Sequence, residues 1–243
     1  FAGCGPVHLL GGITGLIGTI LLKPRQNINP IASSQVNTLL GLFMLWWGWL
    51  GFNCGSSFGI TGNKWIYVSK AATNTLMASI GGGLYSYAYC YIFNNKKYTV
   101  SIISNGIISA LVSITPNCAY VYTWASILIG MIGSSISILS NILLIKYVDD
   151  PIGCISTHAS AGIWGIFSTG LFIHNNNDTK YIGLFYSGSF ILLGIQILEI
   201  LSITIWCLIV SYLFFKLVDL TVGLRMTEKE ENIGGDEIYH NLK

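Results

Sequence analysis

Two histidines stand in matching surroundings inside long apolar segments. His8 begins the pattern His8-x-x-x-Gly12-x-x-Gly15, and His158 begins His158-x-x-x-Gly162-x-x-Gly165. At helical spacing these positions share one face, so each imidazole stands on a glycine stripe that lets another helix come close. An ionisable side chain inside an apolar span is costly and for that reason marks a candidate site. Histidine is the least costly of them, because it can sit neutral. Two neutral imidazoles can share one hydrogen bond, each fixing the other's tautomer, and leave their remaining nitrogens to a narrow apolar lumen. Such a lumen admits a small neutral amine and rejects sodium or potassium, whose hydration shell an imidazole pair cannot replace. The same pair can accept or relay a proton. The ordinary alternative is two unrelated histidines used in helix packing.

A second group of residues has the chemistry of a cation mouth. In Trp46-Trp47-Gly48-Trp49-Leu50-Gly51-Phe52-Asn53-Cys54-Gly55-Ser56, the residues Trp49, Phe52 and Ser56 recur at i, i+3 and i+7, along one helical face. Aromatic faces attract a cation by roughly 0.5–2 kcal/mol, and a serine hydroxyl can accept an ammonium N–H. Trp46 and Trp47 read instead as an aromatic belt at the membrane surface.

The elements that must carry these groups are membrane helices. Apolar residues make up 52% of the 243-residue chain and charged residues 9%, against about a quarter in soluble domains. Crossing the hydrocarbon core takes about 20 apolar residues. Seven segments are expected to span, near 4–22, 36–57, 68–93, 100–117, 120–146, 152–173 and 183–217, giving an all-α, polytopic transmembrane bundle over 1–217. The last is long enough to require tilt. From 218 to 243 the composition turns polar and acidic, as in a solvated cytoplasmic tail able to dock on the inner face. The net charge of +2 is spread over loops, which excludes a nucleic-acid patch. The six cysteines lack CxxC spacing and read as small packing residues, and no metal or cofactor is implied.

Orientation follows from the basic residues. Lys23, Arg25, Lys96, Lys97, Lys146 and Arg225 fall on one side, and Lys64 and Lys180 on the other. This puts Phe1 outside, the C-terminus in the cytoplasm, and the sequon Asn177-Asp178-Thr179 outside as well. The two histidine helices then run in opposite directions, as in inverted repeats that hold a transport site near the bilayer midplane. Asp149 and Asp150 stand at the start of the sixth span, where carboxylates favour the positive end of a helix. Lys70 and Asn74 are expected to cap or bridge helices, and Glu199, deep in the last span, to face another helix rather than a lumen. The chain opens at Phe1-Ala2-Gly3 without a methionine or signal peptide, which reads as a truncation.

Phe1-Ala2-Gly3-x-x-x-Val7-His8, Gly51-Phe52-Asn53-Cys54-Gly55-Ser56, Asn74-Thr75-Leu76, Asp149-Asp150-Pro151, His158-x-x-x-Gly162-Ile163-Trp164-Gly165 and Asp219-Leu220-Thr221-Val222-Gly223-Leu224-Arg225 follow one another. Taken in this order, they resemble the Amt/Mep/Rh ammonium transporters, closest in wording to the Amt type. The resemblance covers nearly the whole chain. It implies eleven spans in a complete protein, an inverted repeat, a homotrimer with one pore per subunit, and a plasma-membrane location. His8 and His158 would be the twin histidines of the pore. Trp49 and Ser56 would belong to the outer ammonium-recruitment site and Phe52 to the phenyl gate below it. Thr115, in Ile114-Thr115-Pro116, matches a pore-adjacent position. Ammonium would be bound outside, lose its proton and cross as ammonia, with or without net movement of the proton. The family's pattern also places an Asp just before Phe1 and four helices before that, so this chain carries one side of a pore. A family threonine switch in the tail is not carried over, since Ile238 falls near that place. Rival readings are a seven-helix receptor, which lacks its lysine and Asp-Arg-Tyr signals here, an ammonium sensor, a neutral gas channel, and a truncated gene product without activity of its own.

Overall fold

The computed structural model describes residues 1–26, 34–174 and 180–241, and among them all regular structure is helical. The expected sequon at 177–179 lies outside the described residues. Helix α1 is Cys4–Leu22, α2 is Gln35–Gly55, α3 is Lys64–Phe93, α4 is Val100–Ile114 and α5 is Thr123–Leu144. Helix α6 covers 155–172, α7 is the single turn Leu184–Ser187, and α8 is Ile191–Thr221. Two short helices, α9 (Glu228–Ile233) and α10 (Gly235–His240), form the tail.

Helices lie within the seven segments where spans were expected. Three of them, α1, α5 and α8, are long and apolar enough by themselves to cross a bilayer, and α4 is apolar but shorter. Two boundaries differ from expectation. The fourth helix stops at Ile114, because Pro116 cannot continue the hydrogen-bond ladder, and an irregular turn follows. The last segment is broken: Gly188, with φ of 68°, ends α7 in the left-handed conformation, and α8 restarts at Ile191. With 31 residues, α8 measures about 46 Å, so it outruns the hydrocarbon and ends on the ion pair Lys216–Asp219.

Lipid gives helices no hydrophobic reason to associate, so close packing and buried polar contacts hold the bundle. Helices α3, α4 and α5 meet through small residues. A Cβ on Gly106 would fall 2.7 Å from the Ser134 hydroxyl, and one on Gly82 would fall 2.8 Å from the Gly106 carbonyl oxygen. Asn74 does bridge helices: its buried amide donates to the carbonyls of Cys118 (2.7 Å) and Val121 (3.0 Å), tying α3 to the turn between α4 and α5. Asn117 in that turn donates to Ser168 on α6 at 2.9 Å.

At the opposite end of the bundle, the tail is held by charge. Arg25, just after α1, forms a two-pronged pair with Asp149, both contacts 2.7 Å. Arg225 donates to the Leu22 and Pro24 carbonyls (2.7 and 2.9 Å) and pairs with Glu231, whose carboxylate also accepts the Gln26 N–H. Gln26 reaches Glu228 too. Thr227 and Glu230 form a reciprocal cap that starts α9. The segment after α1 is thus clasped between the head of α6 and the tail.

Hydrogen bonds from Arg25 hold the Asp149 carboxyl below its ordinary range, against a smaller opposing effect of burial. The Gln26 N–H and the Arg225 guanidinium do the same for Glu231. A depressed carboxylate contributes stability that is complete above its unfolded pKa and is lost as pH falls through the folded value. Hydrogen-exchange protection of 228–233 is therefore expected to be equal at about pH 7 and 6 and to fall below about pH 4. Arg225→Ala is expected to remove it at neutral pH.

Candidate functional site

Both histidine helices open with the same irregularity. In α1 the N–H of Leu10 reaches back five residues to the Gly5 carbonyl, and in α6 the N–H of Ala161 reaches the Ser156 carbonyl. These wide turns, Cys4–Leu9 and Ile155–Ser160, contain His8 and His158, and such turns recur at functional sites. A left-handed glycine precedes each, Gly3 with φ of 81° and Gly153 with φ of 72°, a conformation that penalises any residue with a Cβ. The repeat is therefore longer than the histidine–glycine spacing alone: Gly-Cys-x-x-x-His-x-x-x-Gly-x-x-Gly, from Gly3 to Gly15 and from Gly153 to Gly165. The Gly-Cys pairs are the sequence signal for this extension, beyond the reading of the cysteines as packing residues. Cys4 does pack, with its thiol 3.6 Å from both the Val112 and Gly162 carbonyl oxygens.

The two wide turns cross in antiparallel fashion. A Cβ on Gly12 would strike the backbone of Ala159, and one on Gly162 would sit 3.4 Å from the Leu9 nitrogen. In each case the glycine four residues after one histidine meets the residue just after the other. Numbers rise along one helix as they fall along its partner, which is the contact pattern of a local two-fold axis.

This crossing brings the rings together. The His8 and His158 centroids are 5.4 Å apart with planes 19° from parallel. Trp49 lies 5.0 Å from His8 and 12° from parallel, and Phe52 lies 5.9 Å from His8 and 6.0 Å from Trp49. The direct hydrogen bond expected between the imidazoles is not formed. His8 is aligned instead with the Trp49 indole, and its buried Nε2 has no hydrogen-bond partner among the described residues. His8 is 6% exposed, while His158 is half-buried. The Trp49 Nε1–H donates to the Thr115 hydroxyl (3.0 Å), which donates on to the Leu111 carbonyl (2.8 Å). Thr115 therefore fixes the indole that lies along His8.

Trp49 and Ser56, expected in one outer site, stand at different levels of α2. Seven residues along α2 separate them by about 10 Å, and Trp49 is buried beside His8. Ser56 caps the end of α2, where its hydroxyl donates to the Phe52 carbonyl at 2.8 Å. There it lines a cavity of about 460 Å³ with Phe1, Ser57, Asn63, Lys64, Tyr67 and Tyr120. Phe52, 37% exposed, stands one turn from Ser56 and near His8. Asp150 accepts the N–H groups of Cys154 (3.0 Å) and Ile155 (2.8 Å), so it caps the second wide turn. The arrangement can bring a small amine to an unpartnered imidazole nitrogen walled by aromatic rings.

The sequence profile of the Ammonium Transporter Family matches residues 1–243. The chain belongs to this family. It is 43% identical over its whole length to a Caenorhabditis elegans protein named "Putative ammonium transporter 3", of which it covers 37%. It is 35% identical to the ammonium transporter of Bacillus subtilis, covering all of this chain and 60% of that protein. Among solved structures it is similar to Candida albicans Mep2, with a TM-score of 0.84 and 27% identity over 95% of this chain and 53% of that one. It is also similar to a structure described as a sensor Amt protein, with a TM-score of 0.83 and 28% identity over 96% of this chain and 58% of that one. The chain spans about 37–60% of the length of these relatives. Family and apolar helices together make it part of an integral membrane protein of the ammonium transporters.

Thr115→Val is expected to leave the Trp49 N–H buried without an acceptor and to cost about 1–3 kcal/mol, measurable as a lower melting temperature in detergent. Gly12→Leu is expected to force the histidine helices apart, and a crosslink between cysteines placed at positions 9 and 162 would then fail to form.

Proposed function

We propose that the whole protein carrying this chain moves ammonium across the plasma membrane, as a homotrimer with one pore per subunit. Ammonium is recruited at the end of the bundle that holds Ser56 and the cavity beside Phe1, which the lysine and arginine distribution makes the outer end. Phe52 stands below it as a gate. Past this ring the ion loses its proton, because an unpaired charge is far more costly in an apolar lumen than neutral ammonia. Ammonia then passes Trp49, His8 and His158, and the proton either follows or stays behind. The carrying observation is the ring row Trp49–His8–His158 with the unpartnered His8 Nε2. A neutral imidazole nitrogen there accepts an N–H from the substrate or takes up its proton.

A second reading keeps the fold and makes the protein an ammonium sensor. The likeness to a structure described as a sensor Amt protein favours it. Expression in cells lacking ammonium uptake separates the two. Uptake and current during ammonium or methylammonium steps support transport, whereas ammonium binding without either supports sensing.

His8→Ala and His158→Ala are expected to lower ammonium uptake by at least about tenfold or to admit potassium. Either variant at normal surface level with unchanged uptake and unchanged potassium exclusion would refute the role given to the pair.

A further inference from the structure

A second cavity, of about 110 Å³, lies where α3 and α5 end and α4 and α6 begin. Its polar lining is Tyr89 of α3, Ser101 and Asn105 of α4, Ser137 and Asn141 of α5, and Ser156 in the second wide turn. Isoleucines of α4 and α5 complete it, and none of the described residues that line it is ionised. Several of these polar groups lack a protein partner. Helix α5 holds five serines, of which four hydrogen-bond: Ser126 to the Thr123 carbonyl, Ser134 to that of Gly82, Ser135 with the Tyr85 hydroxyl, and Ser140 to the Ser137 carbonyl. The fifth, Ser137, is 2% exposed, and its hydroxyl has no hydrogen bond among the described residues. Asn105 donates to the Ile152 carbonyl at 3.0 Å, and its own carbonyl oxygen accepts from no described residue. Asn141 accepts only a long 3.5 Å contact from the Ser156 hydroxyl, and its amide N–H groups donate to no described residue. Gly153, which opens the second wide turn, lies beside both amides. A Cβ there would fall 3.0 Å from the Asn105 Nδ2 and 3.4 Å from the Asn141 Oδ1.

A buried hydroxyl or amide without a partner is costly. The groups left over here are both donors and acceptors, and they stand on neighbouring helices around a space several times larger than the roughly 10–15 Å³ that one water needs. An acyl chain would leave all of them unpaired. An ion would give up its hydration shell to a lining without opposite charge. We infer that the cavity binds a cluster of ordered water molecules, which joins Asn105, Ser137 and Asn141 to Gly153 and Ser156 at the head of the turn carrying His158. A water bridge is nearly as favourable as a direct hydrogen bond. The second wide turn is then held at its head in two ways. Asp150 fixes its backbone through the N–H groups of Cys154 and Ile155, and the waters fix its distance from α4 and α5. Neither this inference nor its test uses the transport reading.

The test images the whole protein in lipid nanodiscs by electron cryo-microscopy, at a resolution that shows ordered solvent. Waters within hydrogen-bond distance of Ser137 and of Asn141 or Asn105 are expected. An acyl chain, a bound ion or no density in the cavity overturns the inference. Hydrogen exchange then reads the link to the turn. Ser137→Val fills the space and removes the hydroxyl. It is expected to speed amide exchange across 153–158 by roughly threefold to tenfold, the loss of about one bridged contact. Ser137→Thr keeps the hydroxyl, and Ser140→Val lies outside the lining; both are expected to exchange at the wild-type rate. Unchanged exchange in Ser137→Val overturns the link, as does an equal rise in Ser140→Val. If Ser137→Val fails to fold, the wild-type map decides alone.

Discussion

The structure depends on how closely two helices can cross. Ring contact between His8 and His158 requires their backbones to approach until glycine is the only residue that fits, and Gly12 against Ala159 is that point. In lipid no hydrophobic gain rewards such an approach, so dispersion across small residues and the capping of freed backbone groups must supply it. Everything around the crossing serves this contact. Asp150 satisfies the head of one turn, Cys4 fills the space beside Gly162, and Asn117 and Asn74 lock the α4–α5 turn that backs it.

The same crossing explains why the aromatic residues divide as they do. Trp49 is tied to Thr115 and lies along His8, and so becomes part of the wall at the histidines. Ser56, two turns further on, belongs to the wide cavity. Phe52 stands between, near enough to His8 to touch its ring system and still partly open. A single helix thus grades from a polar end at Ser56 to an apolar interior at Trp49 over two turns.

Much of this was legible in the sequence. The helical class followed from hydropathy, and the pairing of His8 with His158 from their shared glycine spacing. Bridging by Asn74 followed from a polar amide placed in an apolar helix. What could not be read depends on side-chain direction in three dimensions. Helical periodicity placed Trp49, Phe52 and Ser56 on one face, but a face is two turns long, and its depth is set by the Thr115 hydroxyl from another helix. The wide turns are likewise invisible to periodicity, because one extra residue in a turn leaves the apolar run unbroken. The break at Gly188 was hidden for the same reason, in a segment apolar on both sides.

The wide turns have a consequence for how this sequence can vary. Each holds one residue more than an ordinary helical turn, and losing that residue would let the helix close normally while swinging everything on one side by about 100°. The left-handed glycine, the cysteine and the cap would then face away from the crossing. A substitution within Cys4–Leu9 disturbs one contact, but a single-residue deletion unscrews one half of the duplication from the other. Chain length through these six residues is therefore under tighter constraint than most of their identities.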